Sequence, residues 1–266
     1  MHTVLVSGLC ESAGKTSVAC AVLAFLRRQD VEACGFKPMA GNSYWYDHGL
    51  VRETLREGRL YGHDAALLRR FSSGLLEEET VSPVHRLWPE RARDASRGGV
   101  PSFIADRVTL PEGDMLVVNA TLSGVDDAVG MVRRASRAAM QREITSLEEY
   151  NRLASREYAK AVAVAADRVG DAADCMVCES YARVAVPWQE CAPDVALVVS
   201  PGRVSAYDGA AYMDAASLVQ FREASTDRVV ELLQPLARAQ MPPAAGDVVE
   251  TLTELSCWDE LLAGVL

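Results

Sequence analysis

The sequence predicts an α/β fold, a mostly parallel sheet with helices on both faces. Three observations point there. Short apolar runs that read as buried strands alternate with stretches of helical periodicity, as in strand–helix–strand units. Ala, Val and Leu dominate an apolar fraction of 49%, while aromatics make up only 6%, a composition suited to strands buried on both faces. The motifs that carry chemistry fall at C-terminal strand ends, where such sheets bind ligands. At 266 residues, the expected organisation is a single domain over 1–266 with an insertion around 103–150.

Residues 2–7 form an apolar run ending in Ser7-Gly8 and read as a buried strand. Residues 15–28 read as a helix: Val18, Val22, Phe25 and Leu26 make an apolar stripe, and Arg27 and Arg28 suit its C-terminal dipole. Residues 31–37 give a second strand, stopped by Pro38. An aromatic loop follows over 41–49, then helices near 50–56 and 63–71. The Pro- and Arg-rich stretch 82–102 reads as irregular. Residues 103–110 and 114–119 read as two strands joined by Pro111-Glu112-Gly113, in a hairpin arrangement. A long helical region is expected over 125–169 with one or two breaks. Buried strands are expected at 174–180 and 194–200, and a helix near 224–238 before Pro242-Pro243. The last 20 residues read as a short strand and a short helix.

The net charge of −10 argues against a nucleic-acid partner, which needs a basic surface. Charged residues interrupt every apolar run well before about 18 residues, so no membrane partner is expected. The start Met-His-Thr-Val-Leu-Val lacks the basic opening of a signal peptide, and a cytoplasmic location is expected. Seven cysteines, an odd number in mostly apolar surroundings, fit free thiols. Cys175 and Cys178 have CxxC spacing, but residues three apart on a strand face opposite sides, which disfavours a metal or redox pair.

The segment Gly8-Leu-Cys-Glu-Ser-Ala-Gly-Lys-Thr16 joins the first strand to the first helix. That order is what phosphate binding needs: loop and helix N–H groups point at the anion, and the helix dipole adds to the attraction. The expected phosphate contacts are Gly8, Glu11, Ser12, Ala13, Gly14, Lys15, Thr16 and Ser17. Lys15 can reach the β- and γ-phosphates, and the Thr16 hydroxyl can ligate Mg²⁺. The commonest loop spacing needs glycine at position 9, which is Leu9; Gly8 lies one residue further out.

The chain has 24 arginines but only three lysines, Lys15, Lys37 and Lys160. A compact ammonium is not replaceable by a guanidinium at a tight phosphate site. Lys37 is therefore a second candidate phosphate contact, its alternative being an exposed strand-end lysine. Asp64, Glu179 and Glu11 could complete a Mg²⁺ site. Asp64 could instead cap a helix. A carboxylate such as Glu179, at the end of a buried strand, must meet something polar.

Gly8-x₅-Gly14-Lys15-Thr16, Gly35-Phe36-Lys37-Pro38 and His63-Asp64-Ala65-Ala66-Leu67, in this order, resemble the dethiobiotin synthetase family of P-loop ATPases. The resemblance implies a P-loop NTPase fold, Rossmann-like and three-layered, and a homodimer. It implies ATP and Mg²⁺ as cofactors, catalytic roles for Lys15 and Lys37, and metal contacts from Thr16, Asp64 and Glu179. The implied reaction is ligase-like: phosphoryl transfer from ATP to a carboxylate or carbamate of a small molecule, with a small carboxylate or amine as substrate. The segment Glu179-Ser-Tyr-Ala-Arg183 has bulk where the family has glycines. The implied relationship is thus to the phosphate chemistry rather than to dethiobiotin synthesis. Trp45, Tyr46, His48, Tyr181 and Arg183 are the candidate acceptor contacts, with a dimer contact or hydrophobic packing as the alternative for the aromatic loop. His85, in Ser82-Pro-Val-His85, could touch substrate, but a loop histidine is more often structural or merely solvated. The competing functional expectation is a regulatory or assembly NTPase that uses nucleotide as a switch, without a small-molecule acceptor.

Overall fold

In the computed structural model, residues 1–89, 99–219, 224–242, 247–263 and 265 are described. Their strands, in chain order, are β1 (His2–Gly8), β2 (Ala33–Phe36), β3 (Met39–Ser43), β4 (Val84–Trp88), β5 (Ala105–Leu110), β6 (Gly113–Asn119), β7 (Met140–Ile144), β8 (Cys175–Glu179), β9 (Val195–Ser200), β10 (Arg203–Asp208) and β11 (Ala237–Gln240). Two compact units divide the chain. The first holds Met1–Pro38, Leu67–Leu76 and Arg168–Leu266; the second holds Met39–Ala66 and Glu77–Asp167. The stretch 103–150, read above as an insertion into one domain, is part of the second unit.

In the first unit, six strands are ordered β11-β10-β9-β1-β8-β2. Strands β9, β1, β8 and β2 run parallel, and β10 and β11 are antiparallel to their neighbours. The apolar run of β1 explains its central place, since Val4, Leu5 and Val6 are fully buried between two neighbours. The helix Lys15–Arg28 follows. All residues from Val18 to Leu26 are buried, so the helix is covered all round rather than along one stripe. Each large aliphatic side chain buried in this way contributes about 1.5–3 kcal/mol. Ser200-Pro201-Gly202-Arg203 makes the tight turn between β9 and β10, with Gly202 at φ 75°.

In the second unit, five strands are ordered β3-β4-β5-β6-β7. The outer pairs are parallel and the two inner pairs antiparallel. The β5–β6 hairpin forms where the sequence predicts it, with Leu110 opposite Gly113. The helices His48–Arg56 and Asp126–Ala135 contribute Val51, Leu55, Ala128 and Val132 to a core with Leu87, Ile104, Leu116 and Val118. Asp106 packs elsewhere, because it neighbours Ala105 on a strand whose side chains alternate. Its carboxylate accepts from Arg86 Nε (2.9 Å), Arg86 Nη2 (2.6 Å) and the Tyr158 hydroxyl (2.8 Å). The Arg86 guanidinium also lies 4.7 Å from the Phe103 ring centre. Burial alone would loosen the Arg86 proton, but Asp106 more than reverses this and its pKa is raised. Burial, and then the Asp106 charge, push the Tyr158 hydroxyl up. Tyr158 ends a π-helical turn, Ala154–Tyr158, between the helices Leu147–Leu153 and Ala159–Ala172. Such turns insert an extra residue and re-aim the side chains that follow.

The architecture is α/β, as predicted, but both sheets are mixed; the expectation of a mostly parallel sheet is corrected by β10, β11 and the centre of the second sheet. Strand β7 lies inside the region expected to be helical. Its first four residues are exposed, so no apolar alternation marks it. Strand β4 forms within the stretch read as irregular, of which residues 90–98 fall outside the described residues. The helix expected near 224–238 is a short one, Thr226–Val230, followed by β11; Pro243 lies outside the described residues. The chain's end carries two short helices, Val248–Thr253 and Trp258–Leu261. Among the described residues no helix is long and apolar enough to cross a membrane. None of the seven cysteines, all among the described residues, forms a disulfide, and Cys175 and Cys178 are both buried.

Candidate functional site

The loop after β1 turns through two left-handed residues, Ser12 at φ 56° and Gly14 at φ 94°. Alternation of this kind curls backbone N–H groups toward a common centre. Glycine suits position 14 because a side chain is strained at that φ. The helix begins at Lys15, and its first N–H groups lie beyond the reach of intrahelical acceptors. Gly8 is closely approached by a side chain. A Cβ there would lie 3.0 Å from Lys15 Cγ and Cδ, so the lysine stem runs directly across the start of the loop.

Lys15 is only 7% exposed. Its ammonium donates to the carbonyl oxygens of Ala182 (2.9 Å) and Cys10 (3.5 Å). Neighbouring strands supply the rest of the cluster. Register pairs Val6 with Glu179 and Phe36 with Cys178, so the ends of β1, β8 and β2 lie side by side. Glu179 ends β8, and Lys37 follows β2. Lys37 Nζ donates to Glu179 Oε1 at 2.7 Å, and Thr16 Oγ1 donates to the same oxygen at 2.9 Å. Lys37 and Glu179 are both buried, with side-chain exposures of 6% and 1%. Lys37 is thus a buried ion-pair partner and not the exposed strand-end lysine of the alternative reading. The Thr16–Glu179 oxygen separation also matches adjacent ligands on an octahedral Mg²⁺, about 2.9 Å apart when metal–oxygen bonds are about 2.0–2.1 Å. A hydroxyl and a carboxylate are hard donors of the kind this cation takes.

Segment 180–185 borders the cluster and is pinned on both sides of Ala182. Ser180 N donates to Val6 O at 2.9 Å, extending the β1–β8 ladder. Ser7 Oγ and the Tyr212 hydroxyl donate to Ala185 O. Arg183 O accepts from Thr226 N (2.8 Å) and Oγ1 (3.0 Å). Between these anchors Ala182 is left-handed, at φ 46°, which turns its carbonyl to Lys15. No residue type marks this contact in the sequence, because a backbone carbonyl carries no residue identity.

The remaining expected residues fall as follows. Within the loop, Glu11, Ser12 and Gly14 are exposed, Ala13 is buried and Ser17 is half-buried. Tyr181 is half-buried and Arg183 exposed, both in the first unit. Asp64 stands in the first turn of the helix His63–Phe71, on the part that belongs to the second unit. Trp45, Tyr46 and His48 also belong to the second unit. Trp45 and Tyr46 are each 72% exposed, on a turn held by Ser43 Oγ, which accepts from both their N–H groups. His48 packs edge-on against Tyr44 at 5.1 Å. His85, in β4, is fully buried rather than a loop residue. Among the described residues, the one tight group of three metal-ligating side chains is Glu77, Glu78 and Glu79. Arg59 donates to all three carboxylates, so this group is an ion-pair network.

Fold and site together define an α/β protein with a lysine–glutamate cluster at the ends of three parallel strands. No family model matches the chain, and no curated protein matches it.

Proposed function

We propose that the chain is a P-loop NTPase of the dethiobiotin synthetase-like kind. It binds Mg-ATP at residues 8–16 and transfers the γ-phosphoryl group to a carboxylate or carbamate oxygen of a small molecule. The observation that carries this reading is the cluster of Lys15, Thr16, Lys37 and Glu179, drawn from three separate stretches of chain to one set of strand ends. Two buried ammoniums beside a curled loop and a helix N-terminus make a site for several negative charges.

In the proposed reaction, the loop N–H groups and Lys15 hold the β- and γ-phosphates. Lys37 meets the γ-phosphoryl oxygens. The acceptor oxygen forms a bond to the γ-phosphorus as the bridging bond breaks, and ADP leaves with that electron pair. A carboxylate or carbamate acceptor is already ionised, so no base is needed to remove a proton. Alignment and charge stabilisation by the two lysines supply the catalysis. Thr16 and Glu179 would hold a bound Mg²⁺, which supplies further neutralisation of the phosphoryl oxygens; Asp64 rests on the resemblance alone. Tyr181 and Arg183 follow Glu179 in the chain and are the nearer of the expected acceptor contacts in sequence.

ADP release with Mg-ATP tests the reading, measured alone and with a panel of small carboxylates and of amines in bicarbonate. One acceptor should raise the rate at least about tenfold over a slow basal hydrolysis, a barrier change of about 1.4 kcal/mol. Slow hydrolysis that no acceptor stimulates, with a nucleotide-dependent change of oligomeric state, would favour the switch reading instead.

A further inference from the structure

We infer that Lys37 is an internal counter-cation that occupies Glu179 until nucleotide phosphates draw it away, so that a divalent cation and a nucleotide load only together. This rests on the Mg-nucleotide reading above and concerns how that site is regulated.

In the structure, the cation positions of the cluster are filled by the chain itself. Lys37 Nζ sits 2.7 Å from Glu179 Oε1, the oxygen that also accepts from Thr16. Lys15 Nζ sits on the Ala182 and Cys10 carbonyls. Both lysines are at least nine-tenths buried. The third lysine, Lys160, pairs on the surface with Glu112 and belongs to the other unit.

A divalent cation arriving alone at Glu179 Oε1 would meet the Lys37 ammonium at hydrogen-bond distance. Like charges at that range repel strongly in a site shielded from water. The ammonium would have to leave its carboxylate partner, and separating a buried pair is costly. Nucleotide phosphates remove this obstacle. They offer Lys37 and Lys15 new anionic partners at the same step that frees Glu179 Oε1 and Thr16 Oγ1. Metal and nucleotide must therefore raise each other's affinity by the same factor, within the about 5- to 150-fold usual for coupled sites. Arginine in place of Lys37 would keep the charge and the competition. A neutral side chain would remove it.

The test is Mn²⁺ binding to the full chain, read by the electron paramagnetic resonance signal of the free ion, with and without a non-hydrolysable ATP analogue. Wild type should bind Mn²⁺ at least about fivefold more tightly with the analogue than without it. Lys37→Met should bind Mn²⁺ alone at least about fivefold more tightly than wild type, and Lys37→Arg, which keeps the charge, should show no such gain. If Lys37→Met does not fold, as judged by its thermal melt, Lys37→Gln serves as the neutral variant. The inference is overturned if wild type binds Mn²⁺ equally well with and without the analogue, or if the neutral variant gains nothing. In either case binding of the metal–analogue complex to wild type would leave the nucleotide reading standing. If wild type binds neither the analogue nor the metal, both fall.

Discussion

Lys15→Ala should lose at least about 100-fold in affinity for Mg-ATP while keeping its fold. A hydrogen bond to a charged group is worth about 1.5–3 kcal/mol, and one ammonium shared by two phosphates supplies more than one such bond. In the folded state Lys15 donates to the carbonyls of Ala182 and Cys10, both uncharged acceptors. Titration calorimetry reads the affinity, and a thermal melt reads the fold. A variant that melts like wild type and still binds Mg-ATP with unchanged affinity would remove Lys15 from the site.

The second large effect lies in the other unit. Asp106→Ala should cost about 3–5 kcal/mol of stability, the usual penalty for breaking a buried ion pair from one side. Asp106 is fully buried, and Arg86 is 13% exposed at its side chain. The substitution strands the guanidinium among Phe103, Tyr150 and Tyr158. Arg86→Met/Asp106→Ala should cost clearly less than the two single changes added together, because the double variant buries no uncompensated charge. Urea denaturation followed by circular dichroism measures all three. Additive costs would mean that the pair is not coupled.

Much of the candidate site was legible in the sequence because strand-end position and residue type coincide there. The loop 8–16, Lys37 after a buried strand and Glu179 at the end of another each carry a chemical identity that survives without coordinates. The lysine count added to this, since a chain with 24 arginines uses its few lysines selectively. The Lys15–Ala182 contact was not legible. It depends on a left-handed alanine and a main-chain oxygen.

The second sheet was only partly legible, for a different physical reason. Its strands bury polar groups: Asn42 in β3, His85 in β4, Asp106 and Arg107 in β5. Arg107 is 2% exposed and donates to the carbonyls of Leu60 (2.8 Å) and Ser82 (2.7 Å), so carbonyl oxygens take the place of a carboxylate partner. The buried polar residues of β3 and β4 hide the alternation that identifies a half-buried strand, whereas β5 is marked despite Asp106 and Arg107 by its apolar partner β6. Only β5 and β6, with a turn glycine and apolar residues between them, stood out.

A crystal structure of the chain with Mg²⁺ and a non-hydrolysable ATP analogue is the most direct measurement. It should place the β- and γ-phosphates in the loop 8–16, with Lys15 moved from the Ala182 carbonyl onto phosphate. Thr16 and Glu179 should share the metal, and Lys37 should have left Glu179 for the γ-phosphate. Nucleotide bound elsewhere, or a loop that stays empty at saturating analogue with Lys15 and Lys37 on their present partners, would contradict it.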